Sequence, residues 1–144
     1  EILLLGSEKD FRISEEIRKS TSSHNVSNDC GKYSLSQVVH LINESLFVIG
    51  NESGPIHIAA NLKKPFLCFS NANHFLRFNP YPLKYNIPGM YIYPPEFKKY
   101  QNKYKLAKDT KYSSTMNIND IEINKKLFNE ISGFLVDFKP IVYA

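Results

Sequence analysis

The longest apolar runs of this chain fall far short of the roughly 20 residues that a helix needs to cross a bilayer, which excludes a helical membrane span. Cysteine is scarce. Cys30 and Cys68 have neither metal-ligand spacing nor the density of a disulfide scaffold, so reduced thiols in a cytoplasmic protein are expected. No His, Cys and acid cluster has the spacing of a metal site, and no internal repeat is present. The opening Glu1-Ile2-Leu3-Leu4-Leu5 lacks the basic flank and small-residue cleavage site of a signal peptide, and its first residue is not Met. The expectation is a piece cut from within a larger protein. Without a sign of secretion, the three Asn-x-Ser sequons at Asn25, Asn43 and Asn51 are read as chance in an Asn-rich chain.

What is present suits one globular domain. The 144 residues are 42% hydrophobic and 22% charged, enough for a single core and too little for two full nucleotide-binding halves. Between Glu96 and Tyr112 six lysines face two acids, which accounts for the whole net charge of +4.

Ile2 to Leu5 reads as a buried strand, followed by a helix that Ser7 and Asp10 open as a capping pair and that turns Phe11 and Ile17 inward. Ser34 and Gln37 form a capping box for a second helix lined by Leu35, Val38, Val39 and Ile42. Leu46 to Gly50, apolar on both faces, predicts a central parallel strand. Pro55 starts a short helix using Ile58, Ala59 and Leu62, and Pro65 to Phe69 predicts another buried strand. The fold class is therefore α/β, a Rossmann-like open parallel sheet flanked by helices. Prolines at 80, 82, 88, 94 and 95 break the pattern from about 72 to 115, with only Met90 to Tyr93 strand-like. A terminal helix over 119–135 is expected from Asn119 and Glu122 as caps and a stripe of Ile123, Leu127, Ile131 and Leu135.

The stretch Asn51-Glu52-Ser53-Gly54-Pro55 joins a buried strand to a helix start. At such a junction unpaired backbone N–H groups and the positive end of the helix dipole favour an anion. Gly54 admits close approach of a phosphate, Ser53 adds a hydroxyl, and Pro55 presets the helical angle at a position that needs no donor. A carboxylate beside a diphosphate repels it, so Glu52 fits best as an acceptor for the hydroxyls of an attached sugar. Dipole complementation by Glu52 and simple capping by Ser53 explain the same residues. His57 is read as a packed neutral histidine or, alternatively, a base.

The segment "SLSQVVHLINESLFVIGNESGPIHIAANLKKPFLCFS" resembles the donor-binding half of glycosyltransferase family 9, the lipopolysaccharide heptosyltransferases and their relatives. The family pattern S-L-x-Q/E, D-S/T-G-x-x-H-x-A-A and F-G-x-T falls on Ser34, Leu35 and Gln37, then Glu52, Ser53, Gly54, His57, Ala59 and Ala60, then Phe69, Ser70, Asn73 and Pro80. The resemblance implies the C-terminal half of a GT-B enzyme, a single nucleotide-sugar-binding domain over 1–144 that lacks its first strand-helix unit, with a Lys/Tyr-rich insertion at 84–112. It implies Ser53, Gly54 and Pro55 at the diphosphate, Glu52 at the donor sugar, Asp10 and Tyr33 at the nucleoside, and His57, Ser70 and Asn73 in support. Glu52 replaces the family's aspartate and reaches about 1.3 Å further, while Ser70 and Asn73 replace glycine and threonine.

By the same resemblance the function expected is donor binding for an inverting glycosyltransferase that builds lipopolysaccharide or a related surface glycan. The donor is an ADP- or UDP-linked sugar, with no cofactor and no metal. The catalytic base and the glycan or lipid-linked acceptor belong to an absent N-terminal domain, so the chain by itself is expected to be inactive. A non-catalytic nucleotide or glycan-binding module with a degraded site, or a sugar-nucleotide epimerase, remains open as an alternative. The Lys/Tyr segment reads as a solvated insertion or as a contact for an anionic membrane or acidic glycan rather than nucleic acid. Cytoplasmic localisation, peripheral at the inner face of the membrane, follows from that reading.

Overall fold

In the computed structural model, residues 1–99 and 116–137 are described, and they fall into two compact units that divide between Leu41 and Ile42. In the first, β1 (Ile2–Leu4) pairs in parallel with β2 (Val26–Asn28), with Ile2 opposite Val26, and α1 (Phe11–Ser20) is the crossover between them. Ser7 and Asp10 do form a capping box, at a single 3-10 turn over Glu8–Asp10 that runs into α1. The expected inner face is corrected. Phe11 and Ile17 are half exposed, and Ser14 is the buried residue of α1, its hydroxyl 3.1 Å from the Cys30 thiol.

α2 (Leu35–Glu44) begins as predicted, with the Gln37 side-chain oxygen accepting from the Ser34 backbone N–H at 2.8 Å. Of its expected stripe, Ile42 is buried and Leu35 is largely exposed.

In the second unit β3 (Val48–Asn51), β4 (Phe66–Phe69) and β5 (Gly89–Ile92) form a parallel sheet in that order. β4 is thus the central strand, and Phe66, Leu67 and Cys68 are almost wholly buried. β3, expected at the centre, is an edge of this sheet, and its Ile49 is 60% exposed. α3 (Gly54–Asn61) crosses from β3 to β4 and buries Ile56, Ala59 and Ala60 rather than the predicted Ile58 and Leu62.

The region expected to be irregular contributes β5 and a small aromatic core of its own. Phe75, Phe97, Ala72 and Met116 are buried together, with Tyr93 stacked on Phe97 at 4.3 Å between ring centroids. The run Met90 to Tyr93, read as strand-like, is found as β5 shifted by one residue. The terminal helix α4 (Lys125–Asp137) starts later than predicted. Asn117 caps the 3-10 turn Ile118–Asp120, and the Asn124 side chain then accepts from the Leu127 N–H at 3.0 Å to open α4. Ile123 of the predicted stripe lies outside the helix. The lysines and tyrosines of 100–112 lie outside the described residues.

Candidate functional site

The turn between β3 and α3 is built by the sequence Glu52-Ser53-Gly54-Pro55. Ser53 is the N-cap in extended conformation, and Pro55 occupies the first helical turn, where a missing N–H costs nothing. The Ser53 hydroxyl donates back to the Asn51 carbonyl at 3.1 Å instead of capping the helix. The Ser53 carbonyl accepts from the Ile56 and His57 N–H groups. The N–H groups of Ser53 and Gly54 have no acceptor among the described residues. Ser53, Gly54 and Pro55 are all exposed, and a Cβ built on Gly54 would meet nothing within 4 Å. The helix mouth is open and carries two unpaired donors, the condition for holding an anion there.

Glu52 behaves differently from the expectation of a carboxylate offered to a sugar. Its side chain is only 6% exposed, and both oxygens are engaged: Oε2 accepts from the Ser70 hydroxyl at 2.5 Å, and Oε1 lies 3.1 Å from His74 Nδ1. The extra methylene of glutamate carries the charge past the mouth to these partners. Ser70 is itself buried and accepts from the Ala72 N–H at 3.0 Å. Asn73, also among the expected supporting residues, donates its N–H to the Asn71 side chain at 3.0 Å.

His57 lies in the first turns of α3 with Nδ1 2.7 Å from the Tyr81 hydroxyl, and its ring meets Phe78 and Tyr81 edge-on. Packing is therefore its observed state. Beside it opens a cavity of about 570 Å³ whose walls include His57, Leu76, Arg77, Phe78, Tyr81 and Leu83. His74 and Arg77 were not singled out from the sequence. They lie on the loop that follows β4, at the start of the segment read as irregular, where no periodicity distinguishes one polar residue from another.

In the first unit Asp10 is occupied by its cap: Oδ2 accepts from the Ser7 N–H at 2.8 Å and the Ser7 hydroxyl at 2.7 Å, and these bonds lower its pKa. Tyr33 stands beyond the C-terminal end of β2, and its hydroxyl donates to Asp29 Oδ2 at 2.9 Å. Lys32 pairs with the other oxygen at 2.6 Å, and that bond, ahead of the one from Tyr33, holds the Asp29 pKa low. The turn between them needs Gly31, whose φ of +77° suits glycine and whose missing side chain leaves room for Glu8. Asp29 was missed by sequence reasoning because a single acid in a polar break carries no periodic signal.

A model of glycosyltransferase family 9 (heptosyltransferase) matches residues 1–107. The chain belongs to this family. Lipooligosaccharide heptosyltransferase 2 of Haemophilus ducreyi is 42% identical over 67 residues, which are 44% of this chain and 19% of that protein. This chain therefore spans under a fifth of that relative. The crystal structure of a family 9 glycosyl transferase from Veillonella parvula is similar with a TM-score of 0.60 and 16% identity, over 94% of this chain and 36% of the other. ADP-heptose lipopolysaccharide heptosyltransferase II of E. coli gives 0.58 and 20%, over 95% and 37%. These two likenesses establish the fold: the parallel α/β architecture of the family 9 glycosyltransferase is the architecture of this chain. Both free cysteines are buried, and burial, ahead of the Glu52 charge, pushes the Cys68 thiol up to about 12. No helix among the described residues is long and apolar enough to cross a membrane.

Proposed function

We propose that the chain binds the nucleotide-diphospho-sugar donor of an inverting glycosyltransferase that acts on lipopolysaccharide or a related surface glycan. The observation that carries this is the open mouth of α3, with the unpaired N–H groups of Ser53 and Gly54 facing solvent after a parallel strand. Those donors, with Pro55 fixing their angle, hold the diphosphate. In the first unit, taken by itself, the Tyr33 ring suits stacking against a nucleobase, and Asp10 retains Oδ1 as an acceptor for a ribose hydroxyl. The sugar is ADP- or UDP-linked; the similar E. coli enzyme is an ADP-heptose transferase.

In the transfer, an acceptor hydroxyl oxygen attacks the anomeric carbon, a base takes its proton, and the bond to the diphosphate breaks with its electron pair leaving on the phosphate oxygen. The amides of Ser53 and Gly54 stabilise that developing charge. The base and the acceptor surface lie in another part of the protein, and the whole enzyme works at the cytoplasmic face of the inner membrane. Calorimetric titration with ADP, UDP, GDP and their sugars tests the reading: one diphosphate binds, and its sugar form binds at least as well. Absence of binding by all of them refutes it.

A second reading, a non-catalytic nucleotide-binding module, draws on the inward turn of Glu52. Binding of nucleotide without transfer by the full-length protein selects it; labelled sugar moved to an acceptor through many turnovers excludes it.

A further inference from the structure

Glu52 is placed next to the proposed diphosphate site but gives its charge to the protein. Its backbone N–H donates to the Phe69 carbonyl at 3.2 Å, and its carboxylate grips Ser70 and His74, so one residue ties the start of α3 to the segment that follows β4. That segment is held in an unusual backbone. Ala72 and Leu76 both adopt φ of 62°, a left-handed conformation that non-glycine residues take up only where their surroundings impose it. The His74 carbonyl accepts from the Arg77 N–H at 2.9 Å and the Phe78 N–H at 3.0 Å, and the His74 ring lies 4.9 Å from that of Phe78. Phe78 in turn meets His57 of α3. A grip at Glu52 is therefore transmitted through His74 and Phe78 to the wall of the cavity beside the helix mouth.

We propose that Glu52 is a positioning residue, which shapes the diphosphate and sugar site by clamping Ser70 and His74 and does not itself touch the sugar. The proposal rests on the donor-binding reading above and gives a different account of the one acid beside the mouth. Its carboxylate faces Nδ1 of His74, which makes Nδ1–H the donor in the neutral ring and fixes how the imidazole is turned. Ser70 supplies the second grip from a position that is 1% exposed. A direct sugar ligand needs a carboxylate with a lone pair and an open path to solvent; a clamp needs both oxygens satisfied inside, which is the arrangement found.

The test compares the wild-type chain with Glu52→Ala and Ser70→Ala, titrated calorimetrically with the bare nucleoside diphosphate and with its sugar form. The clamp predicts that Glu52→Ala weakens both ligands by the same factor, and that Ser70→Ala, which leaves the carboxylate in place, reproduces part of that loss for both. Loss confined to the sugar form overturns the proposal in favour of direct contact. A lower Tm with both affinities unchanged overturns it in favour of a structural role alone. Should Glu52→Ala not fold, Ser70→Ala carries the same comparison. If the wild type binds no nucleotide, the donor-binding reading has failed, and the clamp is judged from the imidazole ¹⁵N spectrum of His74. A proton fixed on Nδ1 in the wild type and lost in Glu52→Ala supports it; identical spectra overturn it.

Discussion

The phenol of Tyr33 donates a 2.9 Å hydrogen bond to the buried carboxylate of Asp29. An exposed ring is thereby tethered to a carboxylate that Lys32 holds from its other oxygen. In the donor-binding reading this ring is the platform for the base, and its order on the free protein lowers the cost of binding. Tyr33→Phe keeps the ring and cuts the tether. Nucleoside diphosphate affinity should fall about three- to tenfold, the worth of one such hydrogen bond. Calorimetry showing the same affinity would remove Tyr33 from the nucleoside site.

Gly54 separates stability from binding. A methyl group added there meets no atom within 4 Å and sits at the start of a helix. Gly54→Ala should leave the fold intact or stabilise it by about 0.5 kcal/mol. The same methyl occupies the space a phosphate needs, so diphosphate affinity should drop by roughly tenfold or more. Thermal unfolding and calorimetry on one sample check both halves. A stable variant that binds like wild type would show that the mouth is not the anion site.

Gly89 answers a different need. The ring of Phe66, on the central strand, lies across it, and an added Cβ would overlap that ring. Gly89→Ala should destabilise by about 1–3 kcal/mol through overpacking. Denaturant unfolding is the measurement, and Phe66→Leu, which shortens the obstructing side chain, should recover part of the loss in the double variant.

Glu15 gives a pH signature. Its hydrogen bonds from Arg18, at 2.6 and 3.0 Å, together with one from Asn28, lower its pKa from 4.5 to about 2. A carboxylate depressed on folding stabilises fully above its unfolded pKa and loses that contribution as pH falls through the folded value. Glu15→Gln should therefore melt below wild type at pH 6, and the gap should close between about pH 4.5 and 2. Because the pair is partly exposed, added salt should narrow the gap as well. A gap that persists at pH 2 would assign the effect to packing.

Much of the architecture was legible from residue pattern. The Ser34 and Gln37 box, the run Phe66 to Phe69 and the Pro55 helix start each announce themselves through local chemistry, and all three are found. What failed was orientation. Spacing alone marked Phe11, Ile17 and Leu35 as inward, yet the strands they would cover are three residues long in the first unit and leave them exposed. The helix assigned to 119–135 began late because Asn119 lies inside a separate 3-10 turn capped by Asn117, and Asn124 supplies the cap of α4.

The strand, turn and helix start around Ser53 and Gly54 were recognisable because they follow one another in sequence. The destination of the Glu52 carboxylate was not. It depends on Ser70 and His74, 18 and 22 residues away, and a one-dimensional pattern carries no term for which partner a long side chain will reach. The strand β5 was legible in part: Met90 to Tyr93 read as strand-like amid the prolines, but its pairing with β4 and the edge-on contact of Tyr91 with Phe66 carry no signal along the chain.

α3 presents Ala59 and Ala60 to the strands, and both are fully covered. Side chains no longer than a methyl let the helix axis ride low over the sheet. The height of the opening at its first turn is then governed by two residues more than a turn away, and a bulkier pair would lift the axis and re-aim the amides. The height of that opening is thus a property of the packing beneath the helix, set without any contact at the mouth itself.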